Sequence, residues 1–335
     1  MKLLIFSDAQ YTLNLNKSEV LPNGLTSWLN EQITITKDIF SCAYEKKVDK
    51  VIFNGDLFED RSRISSLLYN VIWSSYYRSP FCGLFIFNVG NHDIYSHNTD
   101  LSLAPFSSLG QVINKPFDFE KENTLIRILP YGFLNEQTCQ ISSTEHKYRL
   151  LFTHEIISNL ELDNNFTLKN SFDASLLKDW TYVFNGHIHK PQEYMNIINI
   201  GSIMPNDWGE EGDQKRFLIY ENGIIESIDI DHPRFLTLED PSKEKLDKIS
   251  KDNRNYYRLS CKSDDLTHKA FLNFNVSIKE IKSERRKLRL KKTDTINDEL
   301  IEYLNLNNTD LGKDKLFLVG MELINDMARL GDSSM

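Results

Sequence analysis

Short runs of apolar residues, each bounded by polar or glycine positions, recur through the first two thirds of the chain. They predict strands at residues 2–7, 50–54, 84–89, 125–129, 148–153, 182–184, 196–200, 216–220 and 224–230. Two stretches between the early strands carry a helical period instead. Residues 26–46 place Leu29, Ile33, Ile39, Phe40 and Ala43 near one stripe, and residues 64–77 form a second helix. Strands separated by helix-length segments imply a layered α/β domain, with both helices free to cover a sheet face.

The pattern changes near residue 232. A short β-α-β-β reading follows, with strands at 234–238, 256–261 and 275–282 and a charged helix at 242–251. Residues 297–304 and 313–330 read as two further helices. The second carries Leu316, Val319, Leu323, Ile324 and Met327 along one stripe, which a helix pair alone cannot bury. The expected layout is therefore a main domain over 1–231, a small capping domain over 232–284, a basic linker over 285–295 and terminal helices over 296–335. A length of 335 residues suits one large domain with smaller appendages.

Charge sharpens this division. The net charge is −9, but residues 241–295 hold 16 Lys+Arg against 8 Asp+Glu, leaving 23 against 40 elsewhere. The densest basic run, Arg285-Arg286-Lys287-Leu288-Arg289-Leu290-Lys291-Lys292, has a phosphate backbone as its natural counterion. No apolar run reaches the roughly 18 residues that a membrane span needs, so a cytoplasmic protein with no membrane partner is expected. Cys42, Cys82, Cys139 and Cys261 show no paired spacing and read as buried thiols rather than a metal knuckle or disulfide frame. No P-loop motif is present, so no ATP site is expected in this chain.

Five of the candidate strands run directly into metal-ligand residue types: Ser7-Asp8, Gly55-Asp56, Gly90-Asn91-His92-Asp93, His154-Glu155 and Gly186-His187-Ile188-His189. In α/β sheets, binding sites form at the carboxyl ends of the strands, so these residues can meet in one crevice. A two-cation centre needs such a mixture, because carboxylates can bridge two ions while imidazoles and an amide oxygen fill the other positions. In an extended segment, His187 and His189 would project to the same side, one for each cation. The glycines before Asp56, Asn91 and His187 fit tight turns with close approach of a ligand group.

These ordered blocks resemble the calcineurin-like metallophosphoesterases, whose pattern is D-x-H, G-D, G-N-H-D/E, H and G-H-x-H; four of the five blocks match fully. Gly55-Asp56-Leu57-Phe58, Ile200-Gly201-Ser202 and Trp208-Gly209-Glu210 narrow the resemblance to SbcD-type DNA repair and recombination nucleases and their phage relatives. The resemblance implies a four-layer β-sandwich flanked by helices, with a capping domain and a terminal helix pair. It makes Asp56 the bridging carboxylate, puts Asp8 and His189 on one cation, and puts Asn91, His154 and His187 on the other. It makes His92 catalytic, with Asp93 orienting it. It implies two manganese ions, with magnesium as the substitute. It further implies a homodimer within an assembly containing an SbcC-like coiled-coil ATPase, with DNA as substrate.

Two departures from the family pattern bear on activity. Gln10 stands at the histidine of the first block, where an amide oxygen serves hard cations better than softer ones, so the first cation is expected to bind more weakly. Glu59 stands where the family often has histidine, and it would repel phosphate unless paired with Arg61 or Arg63. With Arg285, Arg286, Lys287 and Arg289, those two arginines are the expected DNA contacts. The rival readings are a subunit with a weakened site that serves in DNA or ATPase binding, and a small-molecule phosphodiesterase on the same fold.

Overall fold

The structure is a computed structural model, describing residues 1–94, 102–141, 145–162, 171–249, 251–262 and 276–281. In chain order the strands are β1 Lys2–Phe6, β2 Lys50–Asn54, β3 Phe85–Asn88, β4 Gly110–Ile113, β5 Phe117–Lys121, β6 Thr124–Leu129, β7 Tyr148–Thr153 and β8 Tyr182–Asn185. They continue with β9 Gln192–Tyr194, β10 Ile197–Asn199, β11 Arg216–Glu221, β12 Ile224–Asp229, β13 Phe235–Glu239, β14 Tyr256–Lys262 and β15 Val276–Ile281. The α-helices are α1 Ser27–Glu45, α2 Ser66–Tyr77 and α3 Lys243–Ile249.

Two six-stranded mixed sheets, ordered β12-β11-β1-β2-β3-β4 and β5-β6-β7-β8-β10-β9, pack face to face. The alternation of side chains along each strand assigns the layers. Leu3 and Ile5 of β1, Ile52 of β2 and Ile86 of β3 point inward and meet Ile126, Ile128, Leu150, Phe152 and Phe184 of the second sheet. Leu4, Phe6, Val51, Phe53, Phe85 and Phe87 point outward and are covered by Trp28, Leu29, Ile33 and Phe40 of α1 with Leu68, Ile72 and Tyr76 of α2. On the far face of the second sheet, Leu125, Leu151 and Val183 are covered by Leu177, Trp180 and neighbouring loop residues. Central strands buried on both faces explain the unbroken apolar runs that made them legible.

Both helices begin where the sequence predicts. Thr26 caps α1 by accepting from the Leu29 N–H, and Ser65 caps α2 by accepting from the Leu68 N–H. Three strands went unpredicted: β4, β5 and β9. All three lie at sheet edges. There they are half-solvated and lose the apolar run, as in the Phe-Asp-Phe-Glu-Lys of β5. Cysteine burial is also corrected, since Cys82 is exposed, Cys42 is partly exposed and Cys139 is buried.

The expected break at 231/232 falls inside a compact unit that takes in Met1–Leu259. The reason is aromatic packing. Phe235 and Tyr256 are buried and stack at 5.0 Å, while Trp28 of α1 lies 5.3 Å from Tyr256 and Trp208 lies 4.8 Å from Phe235. The β-α-β-β order itself is present, with β13, β14 and β15 forming a three-stranded sheet. The expected linker, the terminal helices, and Arg285, Arg286, Lys287 and Arg289 lie outside the described residues. Among the described residues, no helix is long and apolar enough to cross a membrane.

Candidate metal centre

Parallel pairing of β1, β2 and β3 in one sheet and of β7 and β8 in the other aligns their carboxyl ends, and the five blocks follow at those ends. The chain then leaves each strand abruptly. Asp8, Gln10, Asp56 and His187 all adopt left-handed backbone, with φ of 51°, 41°, 60° and 77°. Such a conformation costs a non-glycine residue about 1–2 kcal/mol, so local bonds must hold it.

Those bonds are present. The Asp8 and Gln10 N–H groups donate to the carbonyls of Gly55 and Asp56, both at 3.0 Å, joining the first two loops. The side chain of Gln32, buried on α1, donates to the Ala9 and Gln10 carbonyls and accepts from the Thr12 N–H. The Asp93 carboxylate accepts from the N–H groups of Asp56, Leu57 and Gly90 at 2.8–2.9 Å. Asp93 therefore positions backbone. Its carboxylate bonds to these N–H groups rather than to the His92 ring, which corrects the orienting role expected for it. Burial and the nearby Asp56 charge push Asp93 up to about 7.

Asp56, His154 and His187 come together with potential ligand atoms all within 4.8 Å of one another. Asp56 Oδ2 lies 3.2 Å and Asp8 Oδ1 lies 3.8 Å from His154 Nε2. A carbonyl can only accept, so the 2.7 Å contact between His154 Nδ1 and the Asn54 carbonyl places the proton on Nδ1. Nε2 is then buried with no hydrogen-bond partner, facing two carboxylates. An orphaned imidazole nitrogen in such company fits a divalent cation held by carboxylate, imidazole and amide oxygen. Asn91 Oδ1 lies 2.7 Å from His187 Nδ1, within the same group.

His187 is not in an extended segment, which corrects the simple projection of two imidazoles from one strand. Its N–H turns back to the Asp8 carboxylate at 3.1 Å, and this reversal sends His187 and His189 to different partners. His189 Nδ1 donates to Glu210 Oε1 at 3.0 Å. Gln10 Oε1 accepts from Asn206 Nδ2 at 3.0 Å, and that same amide lies 3.5 Å from His189 Nδ1.

Close approach explains the glycines. A Cβ on Gly55, where φ is +101°, would sit 2.3 Å from His154 Nδ1. A Cβ on Gly90 would sit 2.2 Å from Asp56 Oδ1.

Charge is shared tightly. Burial opposes ionisation of His154, yet the Asp56 and Asp8 carboxylates outweigh it and raise the ring to about 10. Burial likewise opposes charge on His189, and Glu210 raises it to about 9. His187 goes the other way, to about 4, through burial and the neighbouring His154 charge. Binding a divalent cation here displaces protons and so strengthens with rising pH.

The outer wall carries His92, whose N–H donates to Asp56 Oδ1 at 2.8 Å and whose Nδ1 donates to the Glu59 carbonyl. His92, Asn91, Glu59 and Arg61 line one cavity of about 600 Å³. Arg63 lines a neighbouring cavity of about 360 Å³, again with Glu59. Both arginines are exposed.

Two supporting residues are not marked by any motif: Gln32, whose signal is a polar residue on the apolar stripe of α1, and Lys215, which carries none, while Glu210 stands within Trp208-Gly209-Glu210.

Solved structures similar to this chain include Yfce, a phosphoesterase from E. coli, at 14% identity, covering 68% of this chain and 92% of that chain with a TM-score of 0.38. A dimetal phosphatase from Danio rerio is similar at 11% identity, covering 65% and 91% with a TM-score of 0.38. An archaeal phosphodiesterase is similar at 12% identity, covering 68% and 99% with a TM-score of 0.34. No curated protein matches the chain. The sequence model of the calcineurin-like phosphoesterases matches residues 1–256, and the chain belongs to that family of metal-dependent phosphoester hydrolases.

Proposed function

We propose that this chain is the nuclease subunit of an SbcD-type DNA-processing assembly, hydrolysing DNA phosphodiesters with two divalent cations, manganese preferred. The observation that carries the hydrolytic part is the buried group of Asp56, His154 and His187, with His154 Nε2 lacking any hydrogen-bond partner. DNA as substrate is supported by the motif set Gly55-Asp56-Leu57-Phe58, Ile200-Gly201-Ser202 and Trp208-Gly209-Glu210, and by the basic balance of residues 241–295.

Asp56, Asp8 and His189 with Gln10 would hold one cation, and Asp56, Asn91, His154 and His187 the other. When bound, such a pair of ions acidifies a water and clamps the phosphate oxygens. The chain's own groups do the rest. His154 is locked in one tautomer by the Asn54 carbonyl and presents Nε2. His92 donates its Nδ1–H to the Glu59 carbonyl, and in its doubly protonated form the second proton, on Nε2, can pass to the leaving oxygen. Arg61, on the wall of the His92 cavity, would steer the phosphate backbone. The partner in this reading is an SbcC-like coiled-coil ATPase, with two copies of each chain.

A second reading is favoured by one contact. Asn206 takes one of the two lone pairs of the Gln10 oxygen, and an amide replaces the family's histidine here, so a chain that holds one cation firmly and serves mainly to tether DNA or the ATPase also fits.

The test is cleavage of hairpin and linear duplex DNA, with manganese or magnesium, with and without an SbcC-type ATPase, beside a small chromogenic phosphodiester. The expected result is manganese-dependent DNA cleavage that vanishes in Asp56→Ala. Cleavage that survives this substitution overturns the site. Turnover of the small diester alone overturns DNA as substrate, and a chain that binds DNA but cuts neither supports the tethering reading.

A further inference from the structure

Two ionisable residues with no part in the mechanism above are wholly buried beside it. Glu210 and Lys215 each have 0% relative exposure and form an ion pair of 2.6 Å. Burying such a pair is expensive, and apolar residues of the same volume often serve stability as well. Its geometry therefore needs a different account.

Every acceptor position on Glu210 is used. Oε1 accepts from His189 Nδ1 and from the Asn206 N–H, both at 3.0 Å, while Oε2 accepts from Lys215 Nζ and, at 3.0 Å, from Ser202 Oγ. Lys215 Nζ donates further to the His189 backbone carbonyl at 2.9 Å and lies 3.3 Å from Asp213 Oδ2. The pair thus grips His189 at both ends, ring and backbone. The reach extends one residue more, because Asn206, held by Glu210 through its N–H, presents its side-chain amide to Gln10 Oε1. By contrast, His154 takes its orientation from the Asn54 carbonyl, not from Glu210 or Lys215.

We propose that Glu210, with Lys215 as its counter-charge, is the positioning residue of the Asp8–Gln10–His189 half of the centre, fixing His189 with Nε2 outward and holding Gln10 within reach of the same cation. This rests on the two-cation reading above. An imidazole whose second nitrogen donates to a carboxylate is set in ring angle and tautomer, and loss of such a partner commonly weakens metal binding 10–100-fold. In a half-site where Gln10 replaces an imidazole, that support carries more of the binding than it would in a full ligand set. Glu210 acts through His189 and touches no reacting atom.

The experiment is a manganese count and titration on the full chain, by elemental analysis after dialysis and by electron paramagnetic resonance of bound Mn²⁺. Two variants are compared with wild type. Glu210→Gln combined with Lys215→Met keeps the volume without buried charge, and Glu210→Asp keeps Lys215 neutralised while drawing the carboxylate back from His189. The expected result is two ions in wild type. In either folded variant one ion is retained at wild-type affinity and the other weakened at least about tenfold, with loss of the spin-coupled signal. Two ions at wild-type affinity in Glu210→Asp overturn the assignment, as does equal weakening of both ions in a variant whose metal-free melting temperature is unchanged. A wild-type chain that holds a single ion overturns the two-cation reading itself, and this inference with it. DNA is absent from the assay, so the choice of substrate does not enter.

Discussion

The two halves of the proposed metal centre are built from different materials. Around Asp56, His154 and His187, support comes from the core. His154 leans on the backbone carbonyl of Asn54, at the end of a strand with no exposed side chain between Val51 and Asn54, and the Asn54 side chain donates to the Thr153 and Phe184 carbonyls across the sandwich. Around Asp8, Gln10 and His189, support comes from loops, through a buried Glu–Lys pair and a chain of amides. A group tied to strand backbone moves only if the sheet moves. A group tied to side chains on a loop depends on each of those side chains. The loop-built half, where Gln10 stands in a histidine position, is therefore the half on which substitutions should act selectively.

The largest effect is expected from crowding the firm half. Gly90→Ala places a methyl group 2.2 Å from Asp56 Oδ1 and 2.9 Å from His154 Nε2, with no flexible neighbour to yield. Hydrolysis should fall by about 10³-fold or more, roughly 4 kcal/mol of barrier. Steady-state kinetics on any phosphodiester substrate would measure it, and near-normal kcat would show that the Asp56–His154 geometry is less rigid than drawn.

Next in size, Lys215→Met leaves the Glu210 carboxylate buried without its cation. Removing one member of a buried pair costs about 3–5 kcal/mol, so the urea midpoint should drop sharply, while pairing it with Glu210→Gln should restore most of the loss. A small change in the single variant would mean that water reaches Glu210.

Gln10→His sharpens the comparison in the opposite direction. It supplies an imidazole to the loop-built half and should tighten manganese binding there and raise manganese-dependent turnover, each by about tenfold. Equal affinity and equal turnover in both proteins would show that Gln10 already ligates as well as histidine.

The smallest effect lies outside the centre and reports on the aromatic joint at residues 251–258. Partial burial opposes the charge on Asp252, but hydrogen bonds from Asn255, Tyr257 and Arg254 outweigh it and hold the carboxyl at about 2, below its ordinary 3.8. A depressed acid stabilises the fold above its unfolded value, and the contribution is lost as pH falls from 3.8 through about 2. Melting curves of wild type and Asp252→Asn should differ at pH 5 and converge toward pH 2. A constant gap across that range would place the effect in hydrogen bonding alone.

The strands and their ligand blocks were legible for a physical reason. A central parallel strand must be apolar on both faces, and its carboxyl end must change character abruptly, so Phe6 to Asp8 and Phe53 to Asp56 announce themselves in any window of ten residues. Both long helices carried capped starts and apolar stripes. Edge strands such as β5 lacked that signal because half their side chains meet water. The packing of Phe235 and Tyr256 on Trp28 was not legible, because both look like ordinary strand residues until Trp28 is seen against them.

By itself, the sequence determined a layered α/β domain and the order of the ligand blocks, which are local properties of composition and spacing, while the sandwich and the oddness of Gln10 followed from resemblance to the family pattern. Only the tertiary structure decided that Asp93 holds backbone rather than the His92 ring, that His187 turns back on Asp8, and that Glu210 and Lys215 close around His189. Each of those depends on left-handed backbone or on hydrogen bonds between loops distant in sequence, where one side chain has many geometrically possible partners and burial selects among them.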